Sequence, residues 1–395
     1  MMNLSELNIK GRRVLVRVDF NVPLDRSLAV QDDTRIRRAL PTINALLEGG
    51  ASVVLMSHLG RPEGKSKELS LQNILPCLEQ LLGKPVKFAE DCVGDSALDI
   101  TQNLMAGEIA LLENLRFHPE EKEGDEFFAG QLAENGDVYV NDAFGTAHRA
   151  HASTSIVTRF FPEDKAFGKL MVAEIEALRK VMAEPTKPLL AIIGGAKVSS
   201  KLAILENMVE GVDRLMIGGG MAYTFILAKG GSVGASLVEE EMVERARAIL
   251  EKAIAHNTDV FLPIDSVCGD RFSEDANFEI CSSSQIKDGW MGLDIGPQAC
   301  AEFEEILRTS KTILWNGPMG VFEFSACAKG TFTVAQAMKD ATENGAYTLV
   351  GGGDSVAAIN AAGFAGDVSY VSTGGGAMLE YLEGKTLPGI KAIEE

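Results

Sequence analysis

One unit recurs along this chain and most constrains its fold: a short apolar run, a glycine-rich or polar turn, and then a helical stretch. Apolar runs without alternating polar residues are typical of strands that are buried on both faces of a parallel sheet. Their alternation with helices predicts an α/β fold with helices on both faces of each sheet. We predict strands at Val14–Val18, Ser52–Met56, Ile109–Leu112, Asp137–Val140, Leu189–Ile193, Arg214–Ile217, Asp259–Leu262, Thr312–Trp315, Tyr347–Val350 and Val368–Val371.

The length of 395 residues exceeds what one compact core usually holds, so two domains are expected. Lys169–Ala183 has the apolar spacing of an amphipathic helix, and Pro185 and Pro188 follow it and prevent its continuation. We therefore predict an N-terminal domain over 1–168, a connecting helix and linker over 169–188, a C-terminal domain over 189–380 and a tail over 381–395.

Charge and cysteine usage restrict the partners and the compartment. The net charge is −19, from 37 Lys and Arg against 56 Asp and Glu, which disfavours nucleic acids and anionic membranes as partners. The N-terminus lacks the apolar core of a signal peptide, and the chain has no apolar run long enough for a membrane span, so a cytoplasmic protein is expected. No CxxC pair or zinc-type spacing occurs, which predicts reduced thiols at Cys77, Cys92, Cys268, Cys281, Cys300 and Cys327.

Glycine-rich turns follow predicted strands throughout the second half. Glycine lets a backbone approach a ligand closely, and N–H groups at a helix start favour phosphate. One such turn alone is more often a tight turn, but five in one domain predict a phosphate site. There is no GxxxxGK[ST] segment, which excludes a P-loop, and no GxGxxG after a strand, which weighs against a dinucleotide. The five turns are Gly194–Lys201, Gly218–Gly220, Asn316–Gly320, Gly351–Ser355 and Gly374–Gly376.

Three charged residues stand in these turns. Lys197 and Lys201 are four residues apart, and we predict that both lie just inside a helix with their ammonium groups on one face. Such a pair either flanks an anion or is simply solvated. Asp354 follows three glycines at a predicted helix start, where it is either an N-cap or a magnesium ligand near phosphates.

The first half carries cations and hydrogen-bond donors after its predicted strands. In an acidic chain, this grouping predicts a site for a small, multiply charged anion, because arginine contacts phosphate and carboxylate with two donors. Any single arginine is more often part of a surface ion pair. The residues are Asp19, Asn21, His58, Arg61, Asn114, Arg116, His148, Arg149 and His151, with Arg35 at the start of the first helix.

One domain suited to nucleotide phosphates and another suited to a small anion together predict phosphoryl transfer between them. Three alternatives stay open at this point. They are a dinucleotide-dependent oxidoreductase, a non-catalytic anion-binding protein, and a kinase for another small carboxylic or phosphorylated acid.

The motifs resemble those of phosphoglycerate kinases, in the order of that family and over nearly the whole chain. The segments that carry the resemblance are Arg17–Pro23, His58–Pro62, Asn114–Phe117, Asn141–Arg149, Gly194–Val198, Trp315–Glu323 and Gly351–Ser355.

The resemblance implies two doubly wound, Rossmann-like parallel-sheet domains that face each other across a hinged cleft, with the tail returning to the N-terminal domain. It also implies a monomer that transfers a phosphoryl group from 1,3-bisphosphoglycerate to ADP in glycolysis, with Mg²⁺ as cofactor. By position, the implied phosphoglycerate site comprises Asp19, Asn21, Arg35, His58, Arg61, Arg116 and Arg149, and the cations that flank the phosphoryl group are Arg35 and Lys197. The implied nucleotide site comprises Gly195, Lys197, Lys201, Gly219, Asn316, Pro318, Glu323, Gly352, Gly353, Asp354 and Ser355, with Asp354 at the metal.

Overall fold

The structure is a computed structural model that describes residues 4–395. The chain divides into two compact units. The N-terminal unit contains the described residues up to Ile175 together with Thr386–Glu395, and the C-terminal unit contains Glu176–Lys385. Each unit is built on a six-stranded sheet whose strands are all parallel. The predicted α/β class with two parallel-sheet domains is therefore confirmed.

The sheet of the N-terminal unit has the strand order β3-β4-β2-β1-β5-β6. Its central strands are buried along almost their whole length, as their continuous apolar sequence predicts. The strands are β1 (Arg13–Val18), β2 (Ser52–Met56), β3 (Lys87–Ala89), β4 (Ile109–Leu112), β5 (Val138–Asp142) and β6 (Lys165–Phe167). The helices are α1 (Thr34–Glu48), α2 (Leu75–Leu82), α3 (Asp95–Thr101), α4 (Glu120–Glu123), α5 (Glu126–Ala133) and α6 (Lys169–Met182), and the boundary between the units falls within α6.

The C-terminal residues complete the N-terminal unit. The last helix of the chain, Pro388–Glu394, belongs to this unit. The backbone N–H of Gly389 donates to the carbonyl of Ala147 (2.8 Å), and Lys165 Nζ donates to the carbonyl of Ala392 (2.9 Å).

The sheet of the C-terminal unit repeats the same plan in the order β10-β8-β7-β15-β16-β17. Smaller sheets, β12-β11-β14 and β13-β9, accompany it. The strands are β7 (Leu189–Ile193), β8 (Arg214–Ile217), β9 (Ser232–Val233), β10 (Asp259–Phe261), β11 (Asp265–Gly269), β12 (Phe278–Ser282), β13 (Gln285–Ile286), β14 (Met291–Ile295), β15 (Thr312–Asn316), β16 (Tyr347–Val350) and β17 (Tyr370–Val371). The helices are α7 (Leu202–Gly211), α8 (Met221–Ala228), α9 (Val243–His256), α10 (Pro297–Arg308), α11 (Lys329–Glu343), α12 (Gly353–Ala361) and α13 (Gly376–Leu382), and α14 is the Pro388–Glu394 helix of the N-terminal unit.

Both sheets have a switch point, where neighbouring strands lead away in opposite directions. In the N-terminal unit it lies between β1 and β5, since β1 leads to β2 on one side and β5 leads to β6 on the other. In the C-terminal unit it lies between β7 and β15 by the same reasoning. Ligands of open α/β sheets bind at the carboxyl ends of the strands beside such a point.

The prediction of six reduced thiols is wrong for one pair. Cys268 on β11 and Cys281 on β12 form a disulfide. The antiparallel register places Cys281 opposite Ser266, so the two cysteines are diagonal neighbours with Cα atoms 6.6 Å apart. Tests for CxxC and zinc spacing cannot detect a pair 13 residues apart across a hairpin. The other four cysteines, Cys77, Cys92, Cys300 and Cys327, are free thiols.

Within residues 4–395, every helix falls short of the length and hydrophobicity needed to cross a bilayer.

Candidate active site

The strand ends of the N-terminal unit bring several predicted residues to one edge of its sheet. Asp19 and Asn21 follow β1, His58 follows β2, and Arg116 follows β4. These strands are neighbours in a parallel sheet, so their carboxyl ends lie side by side. Arg35 lies in the first turn of α1.

Direct contacts hold this edge together. Arg35 Nη1 forms an ion pair with Asp19 Oδ2 at 3.0 Å. Asn21 Oδ1 accepts a hydrogen bond from the N–H of Gly60 (2.8 Å), and Arg116 Nη1 donates to the carbonyl of Gly60 (2.7 Å). The loop after β2 is therefore fixed from both sides by residues that the sequence assigned to the substrate site.

The edge is strongly electropositive. Burial lowers the pKa of His58 well below its ordinary value, and the charges of Arg17 and Arg116 lower it further. Arg35 and His151 act on His58 in the same direction. Burial and the charge of Arg17 also lower the pKa of Arg116, whose Nε is buried without a hydrogen-bond partner among the described residues. Cations that disfavour one another's charge are stabilised when an anion binds between them.

Two predicted arginines are held less firmly. Arg61 and Arg149 are exposed, and neither side chain forms a hydrogen bond or ion pair within residues 4–395. Both still act electrostatically on this edge. Arg61 lowers the pKa of Arg116, and Arg149 contributes, after burial and the charges of Arg17 and Arg116, to lowering the pKa of His151 to about 4.

Sequence reasoning missed the buried support behind this edge. Arg17 is fully buried, and its Nη2 contacts His58 Nδ1 at 3.1 Å. Its Nε donates to Ser153 Oγ (2.8 Å), which in turn donates to Glu121 Oε1 (2.6 Å). One signal was present: an arginine inside the apolar run Val14–Val18 must have buried partners, because a buried unpaired charge is costly.

The switch point of the C-terminal unit is made of closely packed glycine backbone. The N–H of Gly194 donates to the carbonyl of Asn316 (2.9 Å), and the N–H of Gly195 donates to the carbonyl of Pro318 (3.1 Å). A Cβ on Gly317 would overlap the carbonyl oxygen of Gly194, and Gly317 has φ +104°. Only glycine satisfies both the backbone conformation and the close approach.

Side chains cross-link these turns. Lys201 Nζ is hydrogen-bonded to Asn316 Oδ1, and Asn316 Nδ2 donates to the carbonyl of Gly351 (2.8 Å). Ser355 Oγ accepts from the N–H of Gly317. Burial lowers the pKa of Lys201, while the charge of Asp354 raises it. The turns after β7, β15 and β16 are thus joined into one structure.

The predicted helical placement of Lys197 and Lys201 is wrong. Helix α7 begins at Leu202 with Lys201 as its N-cap residue, so Lys197 lies in the preceding loop and is exposed. The carboxylate of Glu239 holds this loop, since it accepts from the N–H of Ser199 (2.9 Å) and from the Ser199 hydroxyl. The shared-face interpretation of the two lysines therefore does not hold.

A cavity of about 470 Å³ opens beside these turns. Its walls consist mostly of apolar side chains and backbone, and the lining includes Tyr223, Leu237 and Val321. A flat apolar ring with a polar tail fits such a lining. Five of the predicted nucleotide residues line it, namely Gly195, Gly219, Pro318, Glu323 and Asp354.

Asp354 and its turn have the features expected of a metal ligand. Gly352 is the N-cap residue of α12, and Asp354 lies in the first turn, exposed. Its carboxylate forms no hydrogen bond or ion pair within the part of the chain that the structure describes. An exposed carboxylate at a helix N-terminus, with Gly352 and Gly353 leaving the backbone uncovered, fits a hard divalent cation that accompanies phosphates.

Comparisons with known proteins agree with this arrangement. The family model described as Phosphoglycerate kinase matches residues 4–385. The chain is 48% identical to the phosphoglycerate kinase of Porphyromonas gingivalis, over 100% of both chains, and 52% identical to that of Rippkaea orientalis, over 100% of this chain and 98% of the relative. The solved phosphoglycerate kinase of Coxiella burnetii has a TM-score of 0.92 and 41% identity, covering 100% of this chain and 98% of its own. The chain belongs to the phosphoglycerate kinase family.

Proposed function

We propose that this chain catalyses reversible phosphoryl transfer from 1,3-bisphosphoglycerate to ADP, giving 3-phosphoglycerate and ATP, as a glycolytic kinase with a carboxyl acceptor. The observation that carries the proposal is a pair of half-sites, one at the carboxyl ends of the parallel strands in each unit. One is an arginine-rich edge suited to a small anion, and the other is a glycine-built cavity suited to a nucleotide.

We assign the acidic substrate to the N-terminal unit. Arg35, Arg116 and His58 supply fixed donors, and the exposed Arg61 and Arg149 have donors left for an anion that arrives from solvent. Asp19 orients Arg35 through their ion pair, and Asn21 orients the Gly60 turn.

We assign the nucleotide to the C-terminal unit. The apolar cavity would hold the base, with Glu323 at its lining to accept hydrogen bonds from ribose hydroxyls. The phosphates would meet the turns after β7 and β16, where Lys201 and the N–H groups of Gly352, Gly353 and Ser355 are donors. Asp354 would hold Mg²⁺, which neutralises phosphate charge when bound.

The chemistry needs positioning more than proton transfer. The leaving group of an acyl phosphate is a carboxylate, which is stable as an anion, so no general acid is required. Arg35 and Lys197 would neutralise the oxygens of the phosphoryl group in flight, each contributed by a different unit. The two half-sites must therefore meet during turnover, and we propose closure about the 169–188 segment.

The domain boundaries, partners and compartment complete the proposal. The compact units divide within the predicted 169–188 linker and within the predicted 381–395 tail, which supports functional domains over 1–168 and 189–380. The net charge of −19 supports an enzyme of small molecules that binds neither nucleic acid nor membranes, and the family resemblance supports a cytoplasmic monomer.

The test is phosphoryl transfer from Mg-ATP to 3-phosphoglycerate, with the acyl phosphate trapped by a coupled reduction. We expect turnover with 3-phosphoglycerate and magnesium, and none with 2-phosphoglycerate or without magnesium. A folded, nucleotide-binding protein that shows no turnover would contradict the assigned acceptor.

A further inference from the structure

Arg17 determines which nitrogen of His58 carries a proton. The guanidinium has only donors, so its 3.1 Å contact to His58 Nδ1 requires Nδ1 to accept. The proton of the neutral ring must then be on Nε2, which has no hydrogen-bond partner within residues 4–395. His58 is 3% exposed, so its ring has little freedom to turn over.

Arg17 is itself fixed by a buried charge two side chains away. Glu121 is fully buried on α4, and its two carboxylate oxygens accept from the Ser153 hydroxyl (2.6 Å) and the Ser153 N–H (2.9 Å). The same hydroxyl accepts from Arg17 Nε at 2.8 Å. The Ser153 hydroxyl therefore links the buried guanidinium of Arg17 to the buried carboxyl group of Glu121. Its removal would leave Arg17 Nε without this partner, while the Arg17 Nη atoms keep their contacts to the carbonyl of Val18 and to His58, and Glu121 keeps the N–H of Ser153.

We propose that Glu121, Ser153 and Arg17 are positioning residues that hold His58 as a neutral ring with its proton on Nε2, so that His58 donates one hydrogen bond to an oxygen of the acidic substrate. The substrate in this statement rests on the proposed function. The tautomer does not, because it follows from contacts within the N-terminal unit alone.

The charges around His58 lower its pKa and so favour a neutral ring at neutral pH. Arg17 approaches from β1, Arg116 from the turn after β4, and Arg35 from α1. His151 comes from the segment after β5, and its Nδ1 lies 3.7 Å from Glu121 Oε1. A further positive charge on His58 would be repelled by the three arginines, and Glu121 is occupied with Ser153.

Nitrogen NMR of protein labelled with [¹⁵N]histidine tests the tautomer without any substrate. The His58 signals are assigned by their loss in His58→Gln. We expect an unprotonated Nδ1 and a protonated Nε2, with no titration in the ordinary histidine range around pH 6.5. A proton on Nδ1, or titration in that range, would overturn the proposal whether or not the protein transfers phosphate. If the protein gives the expected spectrum but shows no turnover, only the proposed function is contradicted.

Ser153→Ala tests the link to Arg17. We expect its KM for 3-phosphoglycerate to rise about 3- to 10-fold, the range for one lost hydrogen bond, with kcat and the KM for Mg-ATP within about twofold. The His58 spectrum should also change to a mixture of tautomers. Thr158→Val is the matched control, since it removes another buried hydroxyl, bonded to the carbonyl of Ser155 at 2.7 Å, and should change neither readout. An unchanged His58 spectrum in Ser153→Ala would overturn the positioning role.

Substitution of His58 itself gives a second test, which does not depend on how Ser153→Ala folds. Gln can place a neutral N–H donor near the position of Nε2, whereas Leu cannot. We expect His58→Gln to retain a KM for 3-phosphoglycerate about tenfold lower than that of His58→Leu. Equal KM values for the two variants would contradict the donor role.

Discussion

The two units carry their candidate sites at the carboxyl ends of their parallel strands, and the two sites differ in what they are made of. At the edge of the N-terminal sheet the site consists of side chains, such as the Arg35–Asp19 ion pair and the buried Arg17 behind His58. At the edge of the C-terminal sheet it consists of backbone, where Gly194 and Gly317 pack against each other without room for a Cβ.

The difference follows from the two ligands that we propose. A small anion is recognised by charge, so fixed cations at the strand ends suffice for it. A nucleotide carries a chain of phosphates beside a flat base, so backbone N–H groups must approach it closely. The two sites should therefore respond differently to substitution. Substitutions in the N-terminal site should remove catalysis from a folded protein, whereas substitutions of the closely packed glycines in the C-terminal turns should affect folding as well.

The largest effect is expected for Arg35→Ala. Loss of a cation that contacts the transferring group should lower kcat about 100- to 1,000-fold, while the KM for Mg-ATP stays within about threefold. Stability should change little, because the Arg35 side chain is 39% exposed. Steady-state kinetics with both substrates would measure this. Arg37→Ala is the control on the same helix, since Arg37 pairs with Asp33 in the exposed i,i+4 geometry. An unchanged kcat in Arg35→Ala would remove its assigned role.

Gly317→Ala should damage the fold as well as the site. Its Cβ would overlap the carbonyl of Gly194 at φ +104°, and we expect a loss of about 3 kcal/mol in the free energy of unfolding, together with weaker nucleotide binding. Urea unfolding and nucleotide titration would measure the two effects.

Gly289→Ala separates the two causes of that loss, which are the positive φ and the overlap of the added Cβ with neighbouring atoms. Gly289 also has a positive φ, +79°, but nothing lies within 4 Å of its would-be Cβ. Only the conformational cost of about 1 kcal/mol is expected there. Equal losses of unfolding free energy in Gly289→Ala and Gly317→Ala would show that close packing of the turns does not contribute to the effect at Gly317.

Asp354→Asn should affect magnesium use without affecting the fold. Gly352, not Asp354, is the N-cap residue of α12, and the Asp354 carboxylate is exposed, so stability should stay within about 0.5 kcal/mol. The KM for Mg-ATP should rise about tenfold as one ligand of the cation loses its charge. Kinetics over a range of magnesium concentrations would test this, and a destabilised variant with normal kinetics would mean that Asp354 serves the helix instead.

The sequence predicted these units best where strands are buried on both faces. The bounds of β2, β4, β7, β8 and β16 match their predicted runs, because each is a short apolar run, which is typical of a strand buried on both faces. It missed β3 and β6, which have three residues each and are too short to form a recognisable apolar run.

Side-chain networks were harder to foresee than strand ends. The grouping of Asp19, His58 and Arg116 followed from strand adjacency alone. The link from Arg17 to Ser153 and Glu121 spans 136 and then 32 residues of sequence, and no periodicity connects such positions. Lys197 shows the opposite error. Its spacing to Lys201 predicted a helix, but Lys197 lies in a loop before α7 that is hydrogen-bonded to Glu239 through Ser199.

The smallest expected effect concerns an ion pair of the N-terminal unit that supports structure and not the site. His118 Nε2 lies 2.7 Å from Asp91 Oδ1, and this hydrogen bond raises the pKa of His118 above its ordinary 6.5. Because the folded state holds the proton more tightly, the pair's contribution is fully present below about pH 6.5 and is lost as pH rises through the raised pKa. Both side chains are partly exposed, so the contribution should be about 0.5 kcal/mol.

Urea unfolding of the parent chain and of His118→Gln would be compared at a series of pH values. The difference in their free energies of unfolding should shrink by this amount with rising pH. Asp91→Asn should remove the same pH dependence, and a difference that grows with pH would show that the pair does not stabilise the charged histidine.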